Sequence, residues 1–466
     1  MTAVVPPAVV ETAGRPGLLA RHFRRIAQEG LGDRNNRTAH SMAWFKDRLY
    51  VGTTRRSEDD PYTSRAAADP GVRAQIWRFD PAAAAWEQIY VSPLVSVRGR
   101  EVPRDVGYRG MIVFQGASDE APALYVTTIS DHGSLFLRSS DGVSFDVVST
   151  PGLGNSVNRS FRSLAALHGR LYASPSGRSG EDGVERNFAD AAVVYESDDP
   201  AAGRWRVVSE HGFGDPGNIG VFELAQFNGF VYGGTFNARS GCQVWKTDAR
   251  GEAPYRWVRV VSAGADRGNL NEVAVTMVPF AGALFVGTGI PGLGYDRAHG
   301  VGPSAGELLR VNADDTWDLV VGEPRQTVAG RKRPLSGLGP GFGNEFNSVI
   351  WRMAVHDGWL YAGTHDWSVF LTFFARRARP AFGRFLQRIA QSQAGFDLWR
   401  TRDGARWTRV TGDGFGAPSS YGLRTIVSTP VGVFIGTHSL SAARTAANGA
   451  ASARDAGGLD VWWGRA

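Results

Sequence analysis

The chain has 466 residues with 59 Gly, 14 Trp, a single Cys and a formal net charge of +6. One cysteine, Cys242, rules out an intramolecular disulfide framework and a cysteine-ligated metal cluster, and its place at the start of a strand reads as a packed thiol. The mild positive charge is spread along the chain without an aromatic RNA-binding signature, so no nucleic-acid partner is expected.

Residues 1–20 have no basic start and no unbroken apolar run. They read as an extended segment with neither secretion signal nor transmembrane segment, which makes a cytoplasmic setting the expectation. The first strand signal is Phe23-Arg24-Arg25-Ile26, followed by the turn Gly30-Leu31-Gly32-Asp33. One strand signature then recurs: LYVGTT at Leu49, LYVTT at Leu124, LYAS at Leu171, VYGGT at Val231, LFVGT at Leu284, LYAGT at Leu360 and VFIGT at Val433. Short β-branched and aromatic runs between glycine turns are strands, and their recurrence means an array of similar units.

The clearest copy opens with the turn at Gly212, Gly214 and Gly217. It continues through strands Val221 to Phe227, Phe230 to Thr235 and Gln243 to Thr247, with a fourth at Trp257 to Ser262. The seventh copy has no fourth strand before Ala466, but the N-terminal strand and its turn read like Trp407-Thr408-Arg409-Val410 followed by Gly414-Phe415-Gly416. The expectation is therefore an all-β, seven-bladed β-propeller of four-stranded antiparallel blades. Its ring is closed by pairing the N-terminal strand with the last three, which leaves no open edge. It forms one domain over 21–466, with blade 7 shared between 21–30 and 421–466.

The only sustained break in β patterning is a helical insert in blade 6, residues 368–393. Pro380 divides it, and Phe382, Phe385, Leu386 and Ile389 follow at helical spacing. It reads as a lid or cap over the mouth in preference to a peripheral membrane contact through 369–390.

The pattern GFGD, then LYVGT, then VW-x-T-x-DG-x-x-W resembles bacterial propeller repeats related to Asp-box, kelch-like and sialidase-like families, over nearly the whole chain from His22. Thr401-Arg402-Asp403-Gly404 and Ser139-Ser140-Asp141-Gly142 place Gly directly after Asp, one residue short of the usual box. The resemblance implies a propeller. It leaves function to the site, because such scaffolds carry unrelated activities.

Blade topology puts the connections from strand 2 to strand 3 on one face of the ring. The long ones, 54–73, 176–189, 289–306, 365–396 and 438–458, gather there, which marks that face as the functional one. Aligning the first strands gives a column near their start: His40, Arg109, Arg162, Phe222, Val275, Trp351 and Arg424. Two residues on, every position is apolar, from Met42 to Ile426, as packing requires. The earlier column breaks that rule, with Arg424, His40, Arg109 and Arg162 on one arc and apolar residues on the other.

Arginine forks match carboxylate and phosphate. The expected ligand is thus a small anionic or amphipathic molecule, gripped by Arg109, Arg162 and Arg424 and packed on Trp351 and Phe222. His40, His365 and His438 are candidate general bases and, together, candidate ligands of a divalent Zn or Fe. Asp366 is a candidate carboxylate beside them. The resulting expectation is a small-molecule-binding propeller acting as an enzyme on that substrate. The alternatives are a non-catalytic interaction scaffold, a sialidase-like glycoside hydrolase and a His-ligated metalloenzyme. Asn36, Asn158, Asn218, Asn271 and Asn347, with Ser420, recur four residues before the same column and are read as architecture.

Overall fold

The computed structural model describes residues 16–55, 71–177, 192–291, 293–440 and 457–466. Most of the extended N-terminal segment and large parts of the long connections 54–73, 176–189 and 438–458 lie outside the described residues.

The fold is all-β, and its strands follow the repeat. The first unit is an antiparallel meander of Asn36–Phe45, Arg48–Arg55, Gln75–Asp80 and Ala85–Val91. Equivalent meanders start at Gly107–Phe114, Ser160–Leu167, Gly220–Phe227, Val273–Phe280 and Asn347–His356. The last unit runs Gly422–Thr429, Gly432–His438 and Val461–Gly464. Against Val461–Gly464 lies Phe23–Ala27, antiparallel, with Arg24 opposite Trp463 and Arg25 opposite Trp462.

The first strands of successive units pack side by side, and Gly422–Thr429 packs beside Asn36–Phe45. Side chains tie neighbouring units together. Ser41 Oγ donates to the Tyr108 carbonyl (2.8 Å), Thr127 Oγ1 to that of Phe161 (2.8 Å) and Thr425 Oγ1 to that of Ala39 (3.2 Å). The glycine of the recurring GT pair sits where this approach is closest. A Cβ at Gly287 would lie 2.5 Å from the Ile350 carbonyl oxygen, and one at Gly436 2.5 Å from the Ala39 Cβ. Only glycine leaves that space open.

Each GFG turn plugs a unit. Phe213 has a left-handed backbone (φ 56°), and its ring lies 5.4 Å from Trp245 and 4.6 Å from Trp257. Phe342 repeats this with Trp399 (4.8 Å) and Trp407 (5.2 Å). Phe415 packs on Trp462 (4.8 Å) and, in place of a fourth-strand tryptophan, on Phe23 (4.9 Å).

The Asn column secures these turns. Nδ2 of Asn36, Asn158, Asn218, Asn271 and Asn347 donates to the carbonyl of Gly30, Gly152, Gly212, Gly264 and Gly341 at 2.8–3.0 Å. The same amides reach the third strand, at Gln75, Tyr195, Gln243, Glu307 and Asp397, and Ser420 reaches Asp460. In the second unit the place belongs to Asp105, a fully buried carboxylate that accepts from Arg104 Nε at 2.9 Å.

In the sixth unit, helices Leu371–Arg377 and Pro380–Gln393 lie on either side of the break before Pro380. Leu371, Ala375, Leu386 and Ala390 form their inner face against Phe346 and Trp367. Val369 and Phe370, just before them, pack on Tyr421 and Leu440 of the last unit. Two short hairpins, Leu94–Val97 with Arg100–Pro103 and Arg325–Thr327 with Gly330–Lys332, link units. Among the described residues no helix is long and apolar enough to cross a membrane.

Candidate functional site at the strand bulges

The register of every first strand slips at an equivalent place, and Asn36–Phe45 and Asn347–His356 carry a second slip nearer their start, at Asn36/Thr38 and Asn347/Val349. The equivalent breaks fall between Ala39 and Ser41, Tyr108 and Met111, Phe161 and Ser163, Val221 and Glu223, Ala274 and Thr276, Ile350 and Arg352, and Leu423 and Thr425. The residues passed over are His40, Arg109 with Gly110, Arg162, Phe222, Val275, Trp351 and Arg424, the column singled out by alignment. A β-bulge leaves its extra residue out of the ladder and re-aims its side chain. The column is thus a set of side chains released from strand pairing at equivalent positions.

Two more charged residues belong here. Arg352 Nη1 donates to Glu223 Oε2 (3.0 Å) and to the Val275 carbonyl (3.3 Å). Both follow a bulge, where the other first strands carry Ser41, Gly110, Ser163, Thr276 and Thr425. Sequence reasoning missed them because it stopped one column short, although a Glu and an Arg among small residues were the available signal.

Arg424 is 3% exposed, and its guanidinium lies 5.4 Å over the Trp351 ring. Burial holds its pKa well below the ordinary guanidinium value. Arg352 and Arg109 push the same way, and Glu223 opposes them. One of its Nη atoms is buried without a hydrogen-bond partner among the described residues. Burial raises the Glu223 carboxyl, against the pull of Arg352, Arg424 and Arg109. One carboxylate therefore answers three guanidiniums. Arg109 Nη1 also donates to Ser160 Oγ (3.2 Å), while the Arg162 guanidinium lies 3.3 Å over the Phe222 ring.

The histidines take separate hydroxyl partners. His365 is buried, its Nδ1 3.0 Å from Ser348 Oγ, and burial lowers its pKa to about 4. His438 Nδ1 lies 2.6 Å from Thr38 Oγ1. Both imidazoles stand edge-on to the same two rings, Trp351 (5.0 and 5.8 Å) and Tyr421 (5.2 and 4.8 Å). His40 Nδ1 is 2.5 Å from Thr54 Oγ1. Among the described residues no three His, Cys, Asp or Glu side chains form a group that could hold a metal ion, the expected trio of His40, His365 and His438 included. Packing around Trp351 and Tyr421, which ring alignment does not convey, fixes where two of these imidazoles lie.

Asp366 is fully buried and accepts from Asn344 Nδ2 (2.9 Å), the Ser368 amide (2.8 Å) and Ser368 Oγ. Burial pushes its pKa up to about 7. It ties down the start of the insert. Cys242 is a packed core thiol, raised to about 12 by burial. Away from the bulges, burial and then the neighbouring Asp296 raise buried Glu272 to about 9, and Asp296 is 2.6 Å from His299 Nδ1.

Neither a protein family nor a curated protein sequence matches the chain. Among solved structures, a prolyl endopeptidase aligns at 9% identity and TM-score 0.42, covering 79% of this chain and 41% of its own length. An α-L-arabinanase of Penicillium chrysogenum aligns at 13% identity and TM-score 0.39, covering 71% of this chain and 89% of the other. The GH93 α-L-arabinofuranosidase of Fusarium graminearum aligns at 12% identity and TM-score 0.39, covering 72% and 89%. The chain spans less than half the length of the prolyl endopeptidase, and likenesses this distant leave the function to the chain's own residues.

Proposed function

We propose that residues 21–466 form a closed seven-bladed β-propeller whose ring of bulges binds a small anionic molecule, a carboxylate or phosphate with an apolar portion. The pairing of Phe23–Ala27 with Val461–Gly464 and the packing of Gly422–Thr429 beside Asn36–Phe45 support the closed ring. Arg424 carries the binding reading. Its buried guanidinium has a polar atom without a partner among the described residues, is repelled by Arg109 and Arg352, and is countered by Glu223. An anion at this place would supply the missing acceptor and offset the repulsion, in surroundings where charge interactions are screened little.

Trp351 and Phe222 would pack the apolar part of the ligand. His365, which stays neutral until pH falls towards its pKa of about 4, is poorly matched to proton transfer near neutral pH, and His40 remains the candidate base on the bulge column itself.

Thermal melting against a panel of small carboxylates and phosphates tests this reading. At least one should raise the melting temperature of the wild type and have no effect on Arg424→Met. If no anion stabilises the wild type, or both proteins respond equally, the binding reading fails and the scaffold alternative takes its place.

A further inference from the structure

The outward face of the blade 6 insert has a chemistry of its own. Residues 371–393 contain five arginines, Arg376, Arg377, Arg379, Arg384 and Arg388, and no Asp or Glu. All five are exposed. Beside them stand three large apolar side chains in solvent, Phe374 (46% exposed), Phe382 (56%) and Phe385 (50%), the last two with rings 6.2 Å apart.

In the second helix, Gly383, Leu386 and Ala390 are buried against the protein, while Phe382 and Phe385, three residues apart, share a different face. Arg384 and Arg388 share a third, one turn apart. If these aromatics served as a lid they would be turned inwards. Instead the insert is held by Leu371, Ala375, Leu386 and Ala390 on Phe346 and Trp367, which leaves the phenylalanines facing away. A water-facing helix gains nothing from exposing three phenylalanines, whereas an interfacial one buries such residues below the headgroups while arginines at its flank meet lipid phosphates.

We infer that the helices Leu371–Arg377 and Pro380–Gln393 dock the protein on the surface of an anionic phospholipid bilayer, with Phe374, Phe382 and Phe385 inserted and the arginines on the headgroups. The five positive charges with no acidic residue among them choose an anionic surface over a neutral one. The exposed aromatics choose a bilayer over a soluble polyanion, which offers nothing to insert into.

The test is co-sedimentation of the full chain with vesicles of phosphatidylcholine alone and of phosphatidylcholine with phosphatidylserine. The wild type should sediment with the anionic vesicles only, and less as salt rises. Arg376→Gln/Arg384→Gln/Arg388→Gln should weaken the partition by roughly fivefold per arginine, about a hundredfold in all. Phe374→Ser/Phe382→Ser/Phe385→Ser should weaken it at least about tenfold. These six side chains are exposed, so melting should stay near wild type, and if one triple variant fails to fold the other decides. Arg424→Met should bind vesicles like the wild type, which keeps this inference separate from the ligand at the bulges.

Failure of the wild type to bind anionic vesicles overturns the inference. So does binding that survives both triple substitutions. Capture by polyglutamate that needs the arginines but not the phenylalanines would also overturn it, in favour of an acidic protein partner.

Discussion

The turns and the bulges of this molecule repeat with the same period and obey opposite rules. At the turns, residue type is largely kept: Gly212-Phe213-Gly214 and Asn218 have counterparts in Gly341-Phe342-Gly343 and Asn347, with Leu153 and Ala265 in the ring's place elsewhere. At the bulges geometry is kept while residue type varies, from Val275 to Trp351 to Arg424. A left-handed non-glycine residue such as Phe342 (φ 60°) costs about 1–2 kcal/mol. Burying the ring contributes about 1.5–3 kcal/mol and contact with two indoles about 0.5–1.5 kcal/mol each, so in this unit the phenylalanine more than offsets the backbone cost. The bulge column meets no such demand. Positions released from pairing are free to carry charge, and the charges they carry do not cancel.

Breaking a turn should therefore have the largest effect on stability. Phe342→Ala leaves a void between Trp399 and Trp407 beside a backbone still in its unfavourable conformation, and should lower the unfolding free energy by about 3–5 kcal/mol in chemical denaturation. A loss below about 1 kcal/mol would mean the plug is not what holds the unit.

Next in size is Asn218→Ala. Its amide donates to the Gly212 carbonyl and Gln243 Oε1, and its Oδ1 accepts from Asn237 Nδ2 (3.1 Å). Losing these should cost about 1–3 kcal/mol while leaving anion-induced stabilisation of the protein unchanged. A selective loss of ligand response would move the Asn column from architecture into the site.

Replacing a bulge residue should act in the reverse direction. Arg424→Met removes a buried charge that faces two others of the same sign and fills the space with an apolar chain of similar length. The variant should be as stable as the wild type or more stable by about 1 kcal/mol, despite changing a residue that is 3% exposed. A loss of more than about 2 kcal/mol would show that Arg424 serves the fold and not a ligand.

The comparison also explains what could be read from the sequence. Whatever is repeated was legible: the strands, the turns, the Asn column and even the bulge column, whose members align because the slip recurs at one place. What was not legible depends on side chains brought together from distant parts of the chain. Glu223 and Arg352 are 129 residues apart and meet one residue past two bulges, a step that no period of two reveals. The expected histidine trio forms no metal-holding group among the described residues. Sequence reasoning grouped His40, His365 and His438, but Trp351 and Tyr421 decide where two of the rings lie. Asp105 escaped because it fills an Asn position with a different residue.

The remaining effect is a change of slope with pH. Glu272, 2% exposed, is raised to about 9 by burial and by Asp296, so between its unfolded value of 4.5 and 9 the folded state binds a proton that the unfolded state does not. Stability from this group is present below pH 4.5 and falls as pH rises. His365 has the opposite sign. Its folded value of about 4 lies below the ordinary 6.5, so it weakens the fold as pH falls through that window. Asp366, at about 7, works in the same sense as Glu272 but only up to that pH. From pH 7 to 9 Glu272 is therefore the one of the three still titrating. Glu272→Gln keeps the uncharged shape, so it should match the wild type within about 0.5 kcal/mol near pH 5, where Glu272 is already protonated. At pH 8 it should melt higher than the wild type, and its melting temperature should vary less with pH between 7 and 9. Equal slopes for the two proteins over that range would show that Glu272 is ionised in the fold.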